Sequence, residues 1–143
     1  MSHYKKPDAI IFDWDNTLVD SWQTIHAALV ETFITMDQKP WTFEETKIRV
    51  RQSLRDSFPN LFGKRWKEAE AIFYSAFERL HIKNLCPMPQ AETMLSRISA
   101  RIPILGVVSN KTGNLLRKEA THLKWDRFFL ELIGAGDASR DKP

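Results

Sequence analysis

A single cysteine, Cys86, stands in a chain of 143 residues, so no disulfide can close within it. A reducing, cytoplasmic setting is the expectation that fits. Charge of one sign is also missing. Lys and Arg number 21 against 18 Asp and Glu, which leaves +3. That is slight for a nucleic-acid-binding domain, and a nucleic-acid partner is not expected despite a pI of about 9.1. No apolar run is long. Ala9–Phe12 is far too short for a signal peptide or a membrane span, so no membrane partner is expected either. There is no internal repeat and no low-complexity tract. The four histidines, His3, His26, His81 and His122, share no metal-ligand spacing and read as structural or surface residues. What remains is an ordinary globular composition, 43% hydrophobic and 27% charged, with 11% aromatics to anchor a core.

The run Ala9-Ile10-Ile11-Phe12 follows Pro7 and ends in acidic residues, and it predicts a strand buried on both faces. Trp22, Ile25, Leu29, Phe33 and Met36 then recur at spacings of three and four, one apolar stripe of a helix that Lys39-Pro40 ends. A second helix is expected from Phe43 to about Leu54, capped at or near Thr42. Pro59, Asn60 and Gly63 mark a loop, and a third helix is expected from about Lys64 to Leu80. Gln90–Ala100 reads as a helix that begins near Pro89. Ile104-Leu105-Gly106-Val107-Val108 is the second clear strand, Gly113 to about Leu123 a helix, and Leu130–Ala135 a third strand. The order predicts an α/β fold interrupted after its first strand by a purely helical insertion. Its expected boundaries are residues 1–20 and 88–143 for the α/β core and 21–87 for the insertion.

The string Phe12-Asp13-Trp14-Asp15-Asn16-Thr17 carries the chemistry. Two carboxylates two residues apart at a strand end project to one side, and they repel unless a cation lies between them. A hard divalent cation such as Mg²⁺ suits such oxygen donors. Two carboxylates can also divide a reaction, one attacking phosphorus and the other moving protons. With Leu18-Val19-Asp20-Ser21 behind it, the string resembles the first motif of the haloacid-dehalogenase-like superfamily, closest to its phosphoglycolate-phosphatase-like branch. The resemblance implies a Rossmann-like parallel sheet with an inserted all-α cap. It also implies a Mg²⁺-dependent phosphatase acting on a small phosphorylated metabolite through an aspartyl phosphate. Asp13 would be the nucleophile and Asp15 the general acid and base. Both are implied metal ligands, Asp15 through its backbone carbonyl. Asn16 stands where the family usually has glycine, and Asn is the next most tolerant of positive φ. Ser109, after the strand Gly106-Val107-Val108, matches the second motif; Ser109, Asn110 and Lys142 are the implied phosphate-binding residues. Lys111-Thr112-Gly113 also resembles the phosphorylation loop of cation-pumping ATPases, but Asn110 cannot form an aspartyl phosphate.

The family's fourth motif, an acidic group on a further strand, has no match before Pro143, so the resemblance implies a chain truncated ahead of it. Alone, the 143-residue chain is expected to bind metal weakly and to be inactive or nearly so. Without a fourth strand beside it, Ala9–Phe12 would be an unpaired apolar edge, and self-association through that edge is expected. A phosphosugar mutase of the same superfamily and a non-catalytic binding or assembly protein are the alternatives. Basic residues within the insertion, Lys47, Arg49, Arg51, Arg55, Lys64, Arg65 and Lys67, read as a solvated helix face.

Overall fold

The computed structural model describes residues 5–50 and 54–142. The chain forms two compact units, one from residues 1–20 with 86–143 and the other from residues 21–85. Among the described residues, no helix is long and apolar enough to cross a membrane.

The first unit holds three parallel strands: β1 (Ala9–Phe12), β4 (Ile104–Thr112) and β5 (Glu131–Ala135), in the order β1-β4-β5. Between β1 and β4 in sequence come β2 (Val19–Asp20) and β3 (Cys86–Pro87), which pair antiparallel, Val19 with Pro87 and Asp20 with Cys86. Helices α5 (Ala91–Ser99) and α6 (Gly113–His122) complete the unit. The strand-end residues are followed by helices because α5 starts after Pro89 and a left-handed Gln90 (φ 63°), and α6 starts at Gly113. The paired ladder Val19–Asp20 with Cys86–Pro87 was not foreseen, since a two-residue ladder has no periodicity to detect.

The sheet overturns the expectation of a first strand buried on both faces. Exposed and buried positions alternate along all three strands, and the register aligns them: Ala9 beside Ile104, Ile11 beside Gly106, Val108 beside Ile133. Ile11 is 70% exposed, whereas Leu105 and Val107 are buried. One face of the sheet is therefore covered and the other open, and β1 has β4 on one side with no described strand on the other. The four-residue apolar run was consistent with burial on both faces, but an apolar run cannot report which of its two faces receives a neighbour. Strand β4 also runs past its expected end at Val108 to Thr112, with irregular register to β5 after Val108.

The second unit is helical: α1 (Trp22–Thr35), α2 (Phe43–Arg49), α3 (Leu54–Phe62), a 3₁₀ turn at Gly63–Arg65 and α4 (Trp66–Leu80). Helix α1 ends earlier than Lys39-Pro40 predicts. Asp37 adopts φ 56°, the Gln38 amide donates to the Phe33 carbonyl at 2.8 Å, and that αL closure terminates the helix. Helix α2 begins with a capping box: Glu45 N–H donates to Thr42 Oγ1 at 3.1 Å, and Thr42 N–H donates to Glu45 Oε2 at 2.8 Å. It stops at Arg49, short of the expected Leu54; residues 51–53, Arg51 among them, lie outside the described residues.

The expected loop at Pro59 and Asn60 is instead part of α3. Phe58 and Phe62, one turn apart, stack at 5.5 Å and pack on Phe73 and Phe33 respectively, at 5.6 and 5.3 Å. Burying those two rings outweighs the amide that Pro59 cannot offer to the helix.

Candidate active site

Strand β1 delivers the chain into a tight turn centred on Trp14. The Trp14 indole is fully buried, edge-on to Trp125 and Phe129 at 5.9 and 6.3 Å. Its carbonyl accepts the amides of Thr17 at 3.1 Å and Leu18 at 2.9 Å, and Asn16 N–H donates to the Val19 carbonyl at 2.7 Å. Asn16 takes φ 57°, the left-handed conformation that the family position usually gives to glycine. A buried aromatic anchor and a closed turn thus fix the backbone on either side of Asp13 and Asp15.

Each of those carboxylates meets its own ammonium. Asp13 Oδ1 accepts from Lys142 Nζ at 2.8 Å, and Asp13 Oδ2 accepts from Thr17 Oγ1 at 3.0 Å. Asp15 Oδ1 lies 2.7 Å from Lys111 Nζ. The repulsion that a bare pair of carboxylates would suffer is offset here by the two lysines.

Lys142 also donates to the Val108 carbonyl at 3.4 Å, which ties the end of β1 to the middle of β4. Its tail is braced. The Arg117 guanidinium holds both Asp137 oxygens, at 2.7 and 3.0 Å, and Gly134 N–H donates to Asp137 Oδ2 at 2.8 Å. Those bonds, the Arg117 pairing foremost, pull the Asp137 carboxyl down to about 2. Gly136 N–H donates to Asp141 Oδ1 at 3.3 Å.

Ser109 is buried, 4% exposed, and its Oγ accepts the Lys111 amide at 3.1 Å while keeping its own proton to donate. Asn110 follows it on β4 and is exposed. Ser109 and Asn110 therefore lie between Val108, which Lys142 touches, and Lys111, which touches Asp15. The structure brings Asp13, Asp15 and Lys142 into one charged cluster, with Ser109 and Asn110 on the adjoining strand segment.

Two residues of this cluster were missed. Lys111 drew notice only as part of a chance likeness, and Glu119 drew none. Lys111 Nζ is held by both Glu119 oxygens, at 2.7 and 2.5 Å, as well as by Asp15. The Lys111 and Glu119 side chains are 4% and 2% exposed. A buried charged pair next to an acidic turn is the usual mark of a functional site, and burial of this pair could not be read before the strand-to-helix turn was known.

As a metal site the turn offers hard oxygen donors, the Asp13 carboxylate and the Asp15 carbonyl, and the Asp13 side chain is 40% exposed. Among the described residues no group of three His, Cys, Asp or Glu side chains is placed to hold an ion, and Asp137 is committed to Arg117.

The family model for haloacid dehalogenase-like hydrolases matches residues 10–143, nearly the whole chain. The chain belongs to that family. As a haloacid dehalogenase-like hydrolase it is similar to a phosphoglycolate phosphatase of Psychrobacter arcticus, 24% identical over 146 residues. It is likewise similar to a phosphoglycolate phosphatase of Pseudomonas fluorescens, 26% identical over 148 residues. The matches take in 94% and 96% of this chain, but only 64% and 54% of those relatives. A haloacid dehalogenase-like family hydrolase of Streptococcus pneumoniae superposes with a TM-score of 0.83 at 27% identity, covering 90% of this chain and 61% of that one. A HAD-superfamily hydrolase of Geobacter sulfurreducens, 19% identical, shares the fold at a TM-score of 0.74, with 95% and 66% covered.

Proposed function

We propose that this haloacid dehalogenase-like hydrolase is a phosphatase of small phosphate monoesters that works through a phosphorylated Asp13. The carrying observation is the turn around Trp14, where two carboxylates each face a separate lysine. In this reading Asp13 attacks phosphorus in line, and the bond from phosphorus to the substrate oxygen breaks. Asp15 gives a proton to the departing alkoxide. Asp15 then takes a proton from water, the water oxygen attacks phosphorus, and the bond to Asp13 breaks to release inorganic phosphate. Lys142, Ser109 and Asn110 would bind the phosphate oxygens, and positioning and charge stabilisation would supply most of the rate. Mg²⁺, if held by the Asp13 carboxylate and the Asp15 carbonyl with waters, would neutralise phosphate charge.

The names of the relatives make phosphoglycolate the first substrate to try. The helical unit, inserted between β2 and β3, is proposed as the cap that selects it, and the cytoplasm as the place of action. The test is phosphoryl transfer to Asp13. In the full-length protein, with Mg²⁺ and acetyl phosphate, Asp13 should gain the mass of one phosphoryl group, and Asp13→Asn should abolish both this gain and any hydrolysis of p-nitrophenyl phosphate. Retention of more than a few per cent of either by Asp13→Asn removes Asp13 from the role.

Self-association is part of the same proposal. Ile11, Ile104 and Ile133 are exposed on the open face of the sheet, and β1 is its edge. An unpaired apolar edge of this kind recruits a second copy. Light scattering should give more than one chain per particle, and Ile11→Lys should return the monomer. A monomeric parent chain defeats the idea.

A further inference from the structure

We infer that Lys111 and Glu119 form a positioning pair that fixes the Asp15 carboxylate for its proton transfers. The inference rests on the phosphatase reading above and adds two residues to it. The geometry is that of a relay of charge, not of a loose surface bridge. Glu119, on the covered side of α6, is 2% exposed and engages Lys111 Nζ through both oxygens. The same ammonium also meets Asp15 Oδ1 at 2.7 Å. Asp15 itself is 30% exposed, so the water-facing end of the triad is the carboxylate that must move protons.

A lysine alone would bind Asp15 as a mobile counter-ion on a flexible stem. A lysine clamped by a buried carboxylate cannot swing, so it sets the rotamer of Asp15. Two supports make the clamp stiff. Lys111 N–H donates to Ser109 Oγ, which fixes the start of its own side chain. The turn behind it is crowded: a Cβ on Gly134 would stand 2.4 Å from the Lys111 carbonyl and 2.5 Å from the Gly113 Cα. The backbone carrying Lys111 is therefore locked against β5, and α6, which carries Glu119, starts at that crossing.

The experiment separates positioning from general damage by using acetyl phosphate as donor. Asp13 attacks phosphorus, the bond to the acetate oxygen breaks, and acetate departs as the carboxylate with no proton needed. Formation of the phosphoenzyme therefore does not call on Asp15, whereas its hydrolysis does. In the double variant Lys111→Met with Glu119→Leu, no charge is left buried alone, so the fold should persist. Phosphorylation by acetyl phosphate should proceed at close to the parent rate, while the lifetime of the phosphoenzyme should lengthen by about tenfold or more. Equal slowing of both steps, or an unchanged lifetime, overturns the inference. A second readout does not depend on turnover. In isotope-labelled protein the Lys111 ammonium resonance should move in Asp15→Asn, because one of its two carboxylate partners becomes a neutral amide. An unmoved resonance overturns the pairing whether or not the protein is a phosphatase. If the full-length parent forms no phosphoenzyme, the phosphatase reading falls and the assigned purpose of the pair falls with it, while the resonance still decides the pairing.

Discussion

In the helical unit the ion pairs Arg79–Glu31 and Arg65–Glu68 lie on the outside. Arg79 and Glu31 meet at 2.6 Å with side chains 57% and 43% exposed, and Arg65 and Glu68 meet at 2.8 Å with 54% and 51%. In the α/β unit the Lys111–Glu119 pair is sunk to 4% and 2%, at the end of a strand. Both units have apolar cores, the helical one aromatic around Phe33, Phe58, Phe62 and Phe73, so the contrast is not one of packing quality. Exposed pairs contribute about 0–1 kcal/mol because water already solvates them. A buried pair is costly to assemble and more costly to break, and stability alone gives little reason to keep one. The buried pair lies beside the acidic turn, and the two exposed pairs of the helical unit include none of the proposed catalytic residues.

The largest effect should come from breaking the buried pair on one side only. Lys111→Met takes from the buried Glu119 the ammonium that both of its oxygens hold, and should cost about 3–5 kcal/mol. A urea midpoint for the single variant, set against the double variant, measures it; a loss below about 1 kcal/mol would mean that water reaches Glu119 freely and that the two units do not differ in kind. A smaller change belongs to the helical unit. Thr42→Ala removes the oxygen that caps α2 and should cost about 1 kcal/mol. The same substitution should let the Glu45 carboxyl rise by a little only, because what holds it below its ordinary value is chiefly the Thr42 backbone amide, which remains.

The smallest effect concerns the braced tail. Asp137 sits at about 2 against an ordinary 3.8, so its folded form prefers the carboxylate. A depressed value stabilises the fold fully above about pH 3.8, and that share disappears as the pH falls toward 2. Arg117→Ala should return the Asp137 midpoint toward 3.8 in a carbon NMR titration and leave stability at neutral pH little changed. A midpoint that stays near 2 would assign the effect to the Gly134 amide instead.

The fold class was legible because two short apolar runs, a helical stripe and a third apolar run stand in an order that few architectures share. The acidic turn was legible because Asp13 and Asp15 are two residues apart and belong to one local string. The Lys111–Glu119 pair was not, since a lysine followed eight residues later by a glutamate means nothing until a strand turns into a helix between them. Pro59 misled for a related reason: a local rule about proline was overruled by Phe58 and Phe62, whose partners lie elsewhere in the chain. The exposure of Ile11 depends on what lies against the sheet, which no property of Ala9–Phe12 encodes.

The pairing of Asp20 with Cys86 means that the chain leaves the α/β unit and re-enters it at neighbouring points. To that unit, everything from Ser21 to Leu85 is a single hairpin loop. The entropy of closing a loop grows only with the logarithm of its length, about 0.6 kcal/mol for each doubling. Replacing a four-residue turn by the whole helical unit is about four doublings, or about 2.4 kcal/mol. The sheet can therefore carry a long insert, a short one or a different one at nearly the same cost, provided that the insert folds by itself and returns its ends to β2 and β3.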